Sequence, residues 1–164
     1  MKQFYLFCIT FSIVLLSYGQ QGGSLDLNFA GKGWTPLYIG SSGNVDEETS
    51  TKLLQLPGDK YIAVVYNYSS DYTVLAQYKS DGSIDSSFGR NGFTDPIYLR
   101  DARAATLQNI SGDLKILVVG GTDKYEYANF GITRINSDGT VDTTFGVGGK
   151  VSTDFNGNQD DPLA

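Results

Sequence analysis

The residues whose spacing could do chemistry are aspartates set among glycines. Asp81 and Asp85 stand four apart, and Asp138 and Asp142 repeat the spacing. Calcium is the chemistry such pairs suggest, because it collects about six to eight oxygen ligands from carboxylates and carbonyls. Only two carboxylates fall at each turn, however, with Ile84 or Val141 between them. No EF-hand loop or Gly-Asp nonapeptide is present. A structural role for these aspartates is the preferred reading, and no metal or other cofactor is expected. The sequence contains no histidine, which rules out Ser-His-Asp and Cys-His catalysis and histidine-ligated zinc within it. A glycosidase needs two opposed carboxylates, and nothing singles out such a pair. Val119-Gly120-Gly121-Thr122 lacks the spacing and the lysine of a phosphate loop. No catalytic residue is assigned, and the chain reads as non-enzymatic.

What the aspartates do is clearer from their recurrence. Ser24-Leu25-Asp26-Leu27-Asn28-Phe29-Ala30-Gly31-Lys32-Gly33 returns 59 residues later as Ser83-Ile84-Asp85-Ser86-Ser87-Phe88-Gly89-Arg90-Asn91-Gly92. It returns after a further 57 as Thr140-Val141-Asp142-Thr143-Thr144-Phe145-Gly146-Val147-Gly148-Gly149. Asp81-Gly82 and Asp138-Gly139 suit tight turns in which glycine takes a positive φ and the carboxylate accepts a backbone N–H. Asp26, Asp85 and Asp142 would cap the next bend in the same way. Phe29, Phe88 and Phe145 would each plug a gap between sheets. Gly33, Gly92 and Gly149 would let the chain re-enter a sheet.

Those turns must be carried by β units. Between them, short segments rich in β-branched and aromatic residues alternate with turn residues. In the first unit these are Thr51–Leu56, Lys60–Asn67, Asp71–Lys79 and Gly92–Leu99. In the second they are Arg103–Gln108, Lys115–Gly121, Asn129–Asn136 and Gly149–Phe155. Only Asp101–Gln108 could equally be helical. The fold class expected is all-β: four-stranded antiparallel repeat units in a β-propeller-like array. The units run approximately over residues 40–99 and 100–156, with a third starting at 157–164. Two units cannot close a ring, since propellers use about four to eight blades. The sequence is therefore expected to be an incomplete N-terminal fragment, with further repeats in the same chain. Gly33–Ile39 would then be an outer strand of the last blade.

Residues 1–19 have the layout of a secretory signal peptide: Lys2, an apolar run from Phe4 to Leu16, and small residues at Ser17 and Gly19. The run is too short to span a membrane, and no later segment is long enough. Cleavage would remove the only cysteine, Cys8, leaving residues 20–164 as the repeat region without a thiol. The remainder carries eleven basic and eighteen acidic side chains, a net charge of −7. With no basic cluster, nucleic acid is not expected as a partner. The acidic run Asp46-Glu47-Glu48 reads as a solvated loop.

The second unit carries a family resemblance. Leu107-Gln108, Gly112-Asp113, Lys115-Ile116-Leu117-Val118-Val119-Gly120-Gly121, Phe130-Gly131-Ile132-Thr133-Arg134-Ile135 and Asp138 through Val151 follow its pattern in order. The first unit matches more loosely at Leu54-Gln55, Lys60–Val65, Tyr78 and Asp81–Asp85. This resembles the delta-60 repeat, a domain of unknown function with a β-propeller fold found in secreted bacterial proteins. The resemblance implies a propeller-like fold and transfers no catalytic residue. Tyr61, Tyr66, Tyr68 and Tyr72, with Tyr125 and Tyr127 in the next unit, offer aromatics for stacking on a glycan or anchoring a protein. Cross-strand packing is the plainer reading. Asn67-Tyr68-Ser69 and Asn109-Ile110-Ser111 are glycosylation sequons that matter only in a eukaryotic host. The function expected is a secreted or cell-surface scaffold binding an unknown protein or glycan. The alternatives are the propeller portion of a larger secreted enzyme and a calcium-stabilised adhesin.

Overall fold

The computed structural model describes residues 23–37, 48–122, 128–155 and 160. The expected signal peptide, Asp46 and Glu47, Tyr125 and Tyr127, and the start of a third unit apart from Asp160 lie outside these residues. Among the described residues no helix is long and apolar enough to cross a membrane.

Turn chemistry divides the chain into hairpins. Strand β1 (Glu48–Leu56) meets β2 (Lys60–Asn67) through Pro57-Gly58-Asp59, where Gly58 and Asp59 both take positive φ. Strand β4 (Arg100–Ile110) meets β5 (Asp113–Gly121) through a two-residue turn with Ser111 at φ 53° and Gly112 at φ 98°. Two positive φ values in a two-residue loop match the right-handed twist of the strands it joins. Strand β3 (Tyr72–Tyr78) completes a three-stranded antiparallel sheet in the order β1-β2-β3. Strands β6 (Phe130–Asn136) and β7 (Lys150–Thr153) complete a four-stranded sheet in the order β4-β5-β6-β7. The molecule is all-β and antiparallel, with no closed sheet among the described residues.

Asp101–Gln108, for which strand and helix both stood open, is strand; it belongs to β4, whose register shifts between Arg100 and Ala104. Two expectations are corrected. The pairing of Gly92–Leu99 is interrupted, so the first sheet has three named strands where four were expected. Phe93 pairs with Ala76 but Ile97 pairs with Thr73, leaving one extra residue at Asp95-Pro96. Proline has no N–H to give a ladder, so it sits at a bulge, and the Thr94 hydroxyl accepts the Leu75 N–H at 3.1 Å. The second correction concerns Gly33–Ile39: the described part, residues 33–37, forms no strand. Tyr38 and Ile39 lie outside the described residues, and Leu37 packs on the first sheet.

The sheets pack face to face. Ile62, Val64, Leu75 and Phe88 of the first meet Ala102, Ala105, Ile116, Val118 and Ile135 of the second, with Ile97 and Leu99 from the connection. Each large aliphatic side chain so buried contributes about 1.5–3 kcal/mol. The opposite face of the first sheet, with Ala63, Val65, Ala76 and Tyr78, is covered in part by Leu37, Ile84 and Phe93. Gly120 is required by close approach, since a Cβ there would stand 2.6 Å from the Arg100 carbonyl oxygen.

Candidate functional site

The first candidate is the repeated turn. Asp81 and Asp138 accept the N–H of Ser83 and Thr140 at 2.9 Å each, while Gly82 and Gly139 take φ of 80° and 89°. Asp26, Asp85 and Asp142 accept the N–H two residues on, from Asn28 at 3.0 Å, Ser87 at 3.2 Å and Thr144 at 3.1 Å. The re-entry glycines Gly33, Gly92 and Gly149 have φ of 81°, 98° and 91°. The carbonyls of Gly92 and Gly149 accept the N–H of Gln77 and Arg134, so the chain there rejoins a strand edge.

The three phenylalanines differ. Phe88 is 1 % exposed and lies between the sheets. Phe29 and Phe145 are half-buried. The Phe29 ring covers Gly82, where a Cβ would come within 2.9 Å of it, and the Arg134 guanidinium stands 4.6 Å above the Phe145 ring.

Behind the turns sit two ionic hubs that the spacing of the aspartates alone did not reveal. Lys60 donates to Asp85 Oδ2 at 2.7 Å, Gln77 Nε2 donates to the same oxygen at 2.9 Å, and the Ser87 hydroxyl donates to Oδ1 at 2.6 Å. In the second unit Arg134 Nε donates to Asp142 Oδ2 at 2.8 Å, with Lys115 Nζ 3.7 Å from it and the Thr144 hydroxyl on Oδ1 at 2.6 Å. The one available signal was recurrence: a polar residue, Gln77 or Arg134, stands eight positions before each aspartate. The Lys60 ammonium and the Ser87 hydroxyl hold the Asp85 carboxyl well below the usual carboxylate range. The Thr144 hydroxyl and amide, with Arg134, lower Asp142. Asp81 and Asp138 are lowered by Ser83 and Thr140. These oxygens are therefore engaged by lysine, arginine, hydroxyl and amide donors. Among the described residues no three His, Cys, Asp or Glu side chains gather around one point.

The second candidate is the tip of the β2–β3 hairpin. Tyr66 is buried, and its hydroxyl donates to Asp71 Oδ1. Burial, then the Asp71 carboxylate, pushes the Tyr66 phenol well above its ordinary value. The Tyr68 ring stacks edge-on against Tyr66 at 4.7 Å and is 51 % exposed. The backbone is pinned where Asp71 N–H donates to the Asn67 carbonyl at 2.9 Å and Ser70 N–H to Asn67 Oδ1 at 2.8 Å. Tyr72 flanks this tip, half-buried. Tyr61 stands apart, since it pairs with Tyr78 at the far end of β2 and lines a cleft of about 380 Å3 with Phe29, Leu37 and Leu53. Asn67 is buried, so its sequon offers no acceptor side chain, whereas Asn109 is exposed.

Two stretches, residues 61–88 and 113–145, match the family described as a domain of unknown function (DUF5122) with a β-propeller fold. Each stretch ends on the phenylalanine of the repeated turn. No curated protein and no solved structure matches the chain. Joined to two packed antiparallel sheets with the same turn, the match makes this region a β-propeller-type repeat domain of unknown function.

Proposed function

We propose that the chain is a non-enzymatic scaffold of the secreted or cell-surface kind, binding a protein or glycan through the rim at the β2–β3 hairpin. The observation that carries this reading is Tyr68. It is a large aromatic held at a loop tip, half exposed, with its neighbour fixed from behind by Asp71. A preorganised aromatic offers contact area with little ordering cost, which suits stacking on a sugar ring or filling a partner's pocket. The turn aspartates support the same view, because Asp85 and Asp142 are engaged by lysine, arginine, hydroxyl and amide donors of their own units.

The test is a panel of neutral and acidic polysaccharides titrated against the purified chain, read by tyrosine fluorescence, with Tyr68→Ala as the variant. Binding that Tyr68→Ala weakens at least tenfold, with an unchanged melting temperature, supports the proposal. Turnover of any polysaccharide, or binding indifferent to Tyr68, rejects it.

A further inference from the structure

The face of the first sheet that points away from the second differs in kind from its equivalent in the second sheet. Lys60 and Lys115 hold equivalent places on their hubs, which aligns Tyr61 with Ile116 and Ala63 with Val118. Strand pairing then aligns Tyr78 with Ile135 and Leu53 with Ala105. In the second unit all four places lie in the core against the first sheet, filled by aliphatic side chains. In the first unit they hold two phenols, an alanine and a leucine that is 62 % exposed. Sheet packing alone calls for the aliphatic set, since a buried hydroxyl costs free energy unless it is hydrogen-bonded.

Ala63 floors the cleft of about 380 Å3, with Leu53, Tyr61 and Tyr78 around it on the same sheet face. The facing wall is Phe29, Thr35 and Leu37. That wall is fixed, because the Ala30 N–H donates to the Asp81 carbonyl at 2.7 Å and the Phe29 ring covers Gly82. Leu37 packs on the sheet itself. The cleft is therefore preformed, and binding in such a site costs little in ordering its walls.

The chemistry of the cleft selects a class of ligand. No lining residue is charged, so a charged ligand would lose its hydration and meet no counter-charge. Phe29, Tyr61 and Tyr78 present three rings, and aromatic rings favour offset or edge-on contact with another ring. The volume lies at the small end of the range for ligand sites, about 300–1,000 Å3. Tyr78 is 5 % exposed, and no described residue hydrogen-bonds its hydroxyl. Buried polar groups are hydrogen-bonded as a rule, so a phenol O–H without a partner at the wall of a cleft calls for an acceptor inside it.

We propose that this cleft binds a small neutral aromatic molecule carrying an oxygen, with its ring on Ala63 and its oxygen accepting the Tyr78 O–H. Tyr61 and Tyr78 pair at the end of β2 far from Tyr68, so the proposal goes beyond the rim-binding reading and stands or falls separately from it.

The test titrates the 164-residue chain with 2-naphthol, followed by the fluorescence of the probe, beside 2-naphthoate, which has the same rings and a negative charge. 2-Naphthol should bind saturably with a dissociation constant below about 1 mM, and about tenfold or more tighter than 2-naphthoate. Tyr78→Phe should weaken 2-naphthol about three- to tenfold, the effect of one hydrogen bond. Ala63→Val, which supplies the residue of the second unit, should raise the floor and weaken binding by about tenfold or more. Leu53→Lys, a substitution at an exposed place, should weaken it by a similar factor with an unchanged melting temperature. Absence of saturable binding, equal binding of the two probes, or indifference to Tyr78→Phe or Leu53→Lys overturns the proposal. Binding that disappears as the protein concentration rises also overturns it, by making a second copy of the chain the occupant.

Discussion

The two sheets have the same strand order and opposite exposure. In the first, β2 and β3 are buried at almost every position, so side chains on both faces are covered. In the second, β5 and β6 alternate between buried and half-buried residues. The sequences do not differ in that way, because Leu117, Val119 and Ile132 are as apolar as their counterparts Ile62, Val64 and Leu75. A strand buried on both faces reads as a continuous apolar run, and a half-exposed antiparallel strand reads as an alternation. The second sheet has the composition of the first and the exposure of a sheet with one covered face. Its inner rim is nonetheless more polar, with Thr106, Gln108 and Arg134 where the first sheet has Leu54, Leu56 and Gln77. The difference teaches that burial of the first sheet is set on one face by the neighbouring sheet and on the other by Leu37, Ile84 and Phe93.

The largest expected effect breaks that comparison most directly. Phe88→Ala removes a ring that is 1 % exposed between the sheets and should cost about 3–5 kcal/mol. Phe145→Ala removes the same residue from the same motif and should cost about 1 kcal/mol or less, because the ring is half exposed under Arg134. Urea denaturation of both variants measures the gap. Equal losses would mean that the ring stabilises its own turn, and that the junction between units adds little.

Glycine substitutions sharpen the same point at the partner side. Gly139→Ala places a Cβ 2.7 Å from the Gly89 nitrogen and 2.9 Å from its Cα, in addition to forcing alanine to positive φ. A loss of about 2–3 kcal/mol is expected. Gly58→Ala meets nothing within 4 Å and carries only the conformational strain, about 1 kcal/mol. A thermal melt that ranks them the other way would remove the junction from the account of why the turn needs glycine.

Much of this was legible beforehand, for reasons that particular residues show. Lys60–Asn67 was read with its observed bounds because Gly58-Asp59 and the run of Val, Ile and Tyr are both local signals. The capping by Asp85 and Asp142 was legible because an Asx turn is a contact across two residues. The hub of Lys60 and Gln77 on Asp85 was not, since it joins three places in the chain that only pairing of β2 with β3 brings together. Nor was the contrast between Phe88 and Phe145: one motif has two environments, and the environment belongs to the neighbour. The interruption at Pro96 had a local cause in plain view, a residue without an N–H inside an expected strand.

That interruption gives the next comparison. Thr94→Val leaves the buried Leu75 N–H without its acceptor and should cost about 1–2 kcal/mol. The equivalent place in the second unit is Val151, in regular β7 and paired with Ile132. Val151→Thr should change stability by no more than about 0.5 kcal/mol. If Thr94→Val were equally silent, the hydroxyl would not be what bridges the bulge.

The smallest effect separates the two hubs by pH. Asp85 and Asp142 both have folded-state pKa values below their unfolded values, which lie near about 3.9. A lowered carboxyl stabilises the fold above the unfolded pKa, and that contribution is lost as pH falls through the folded pKa. Stability should therefore be level from neutral pH to about pH 4 and fall below it. The two sites differ in what holds the charge. Lys60 is first at Asp85, whereas at Asp142 the Thr144 hydroxyl comes first and Arg134 follows. Asp85→Asn should accordingly flatten the acid limb more than Asp142→Asn. Salt should weaken the Asp85 contribution more, because an ion pair with a half-exposed lysine is screened while a hydroxyl donor is not. Urea midpoints collected from about pH 2 to pH 7 at low and high salt decide it. Equal flattening by the two variants would show that the turn hydroxyls, and not the lysine and arginine, hold both charges.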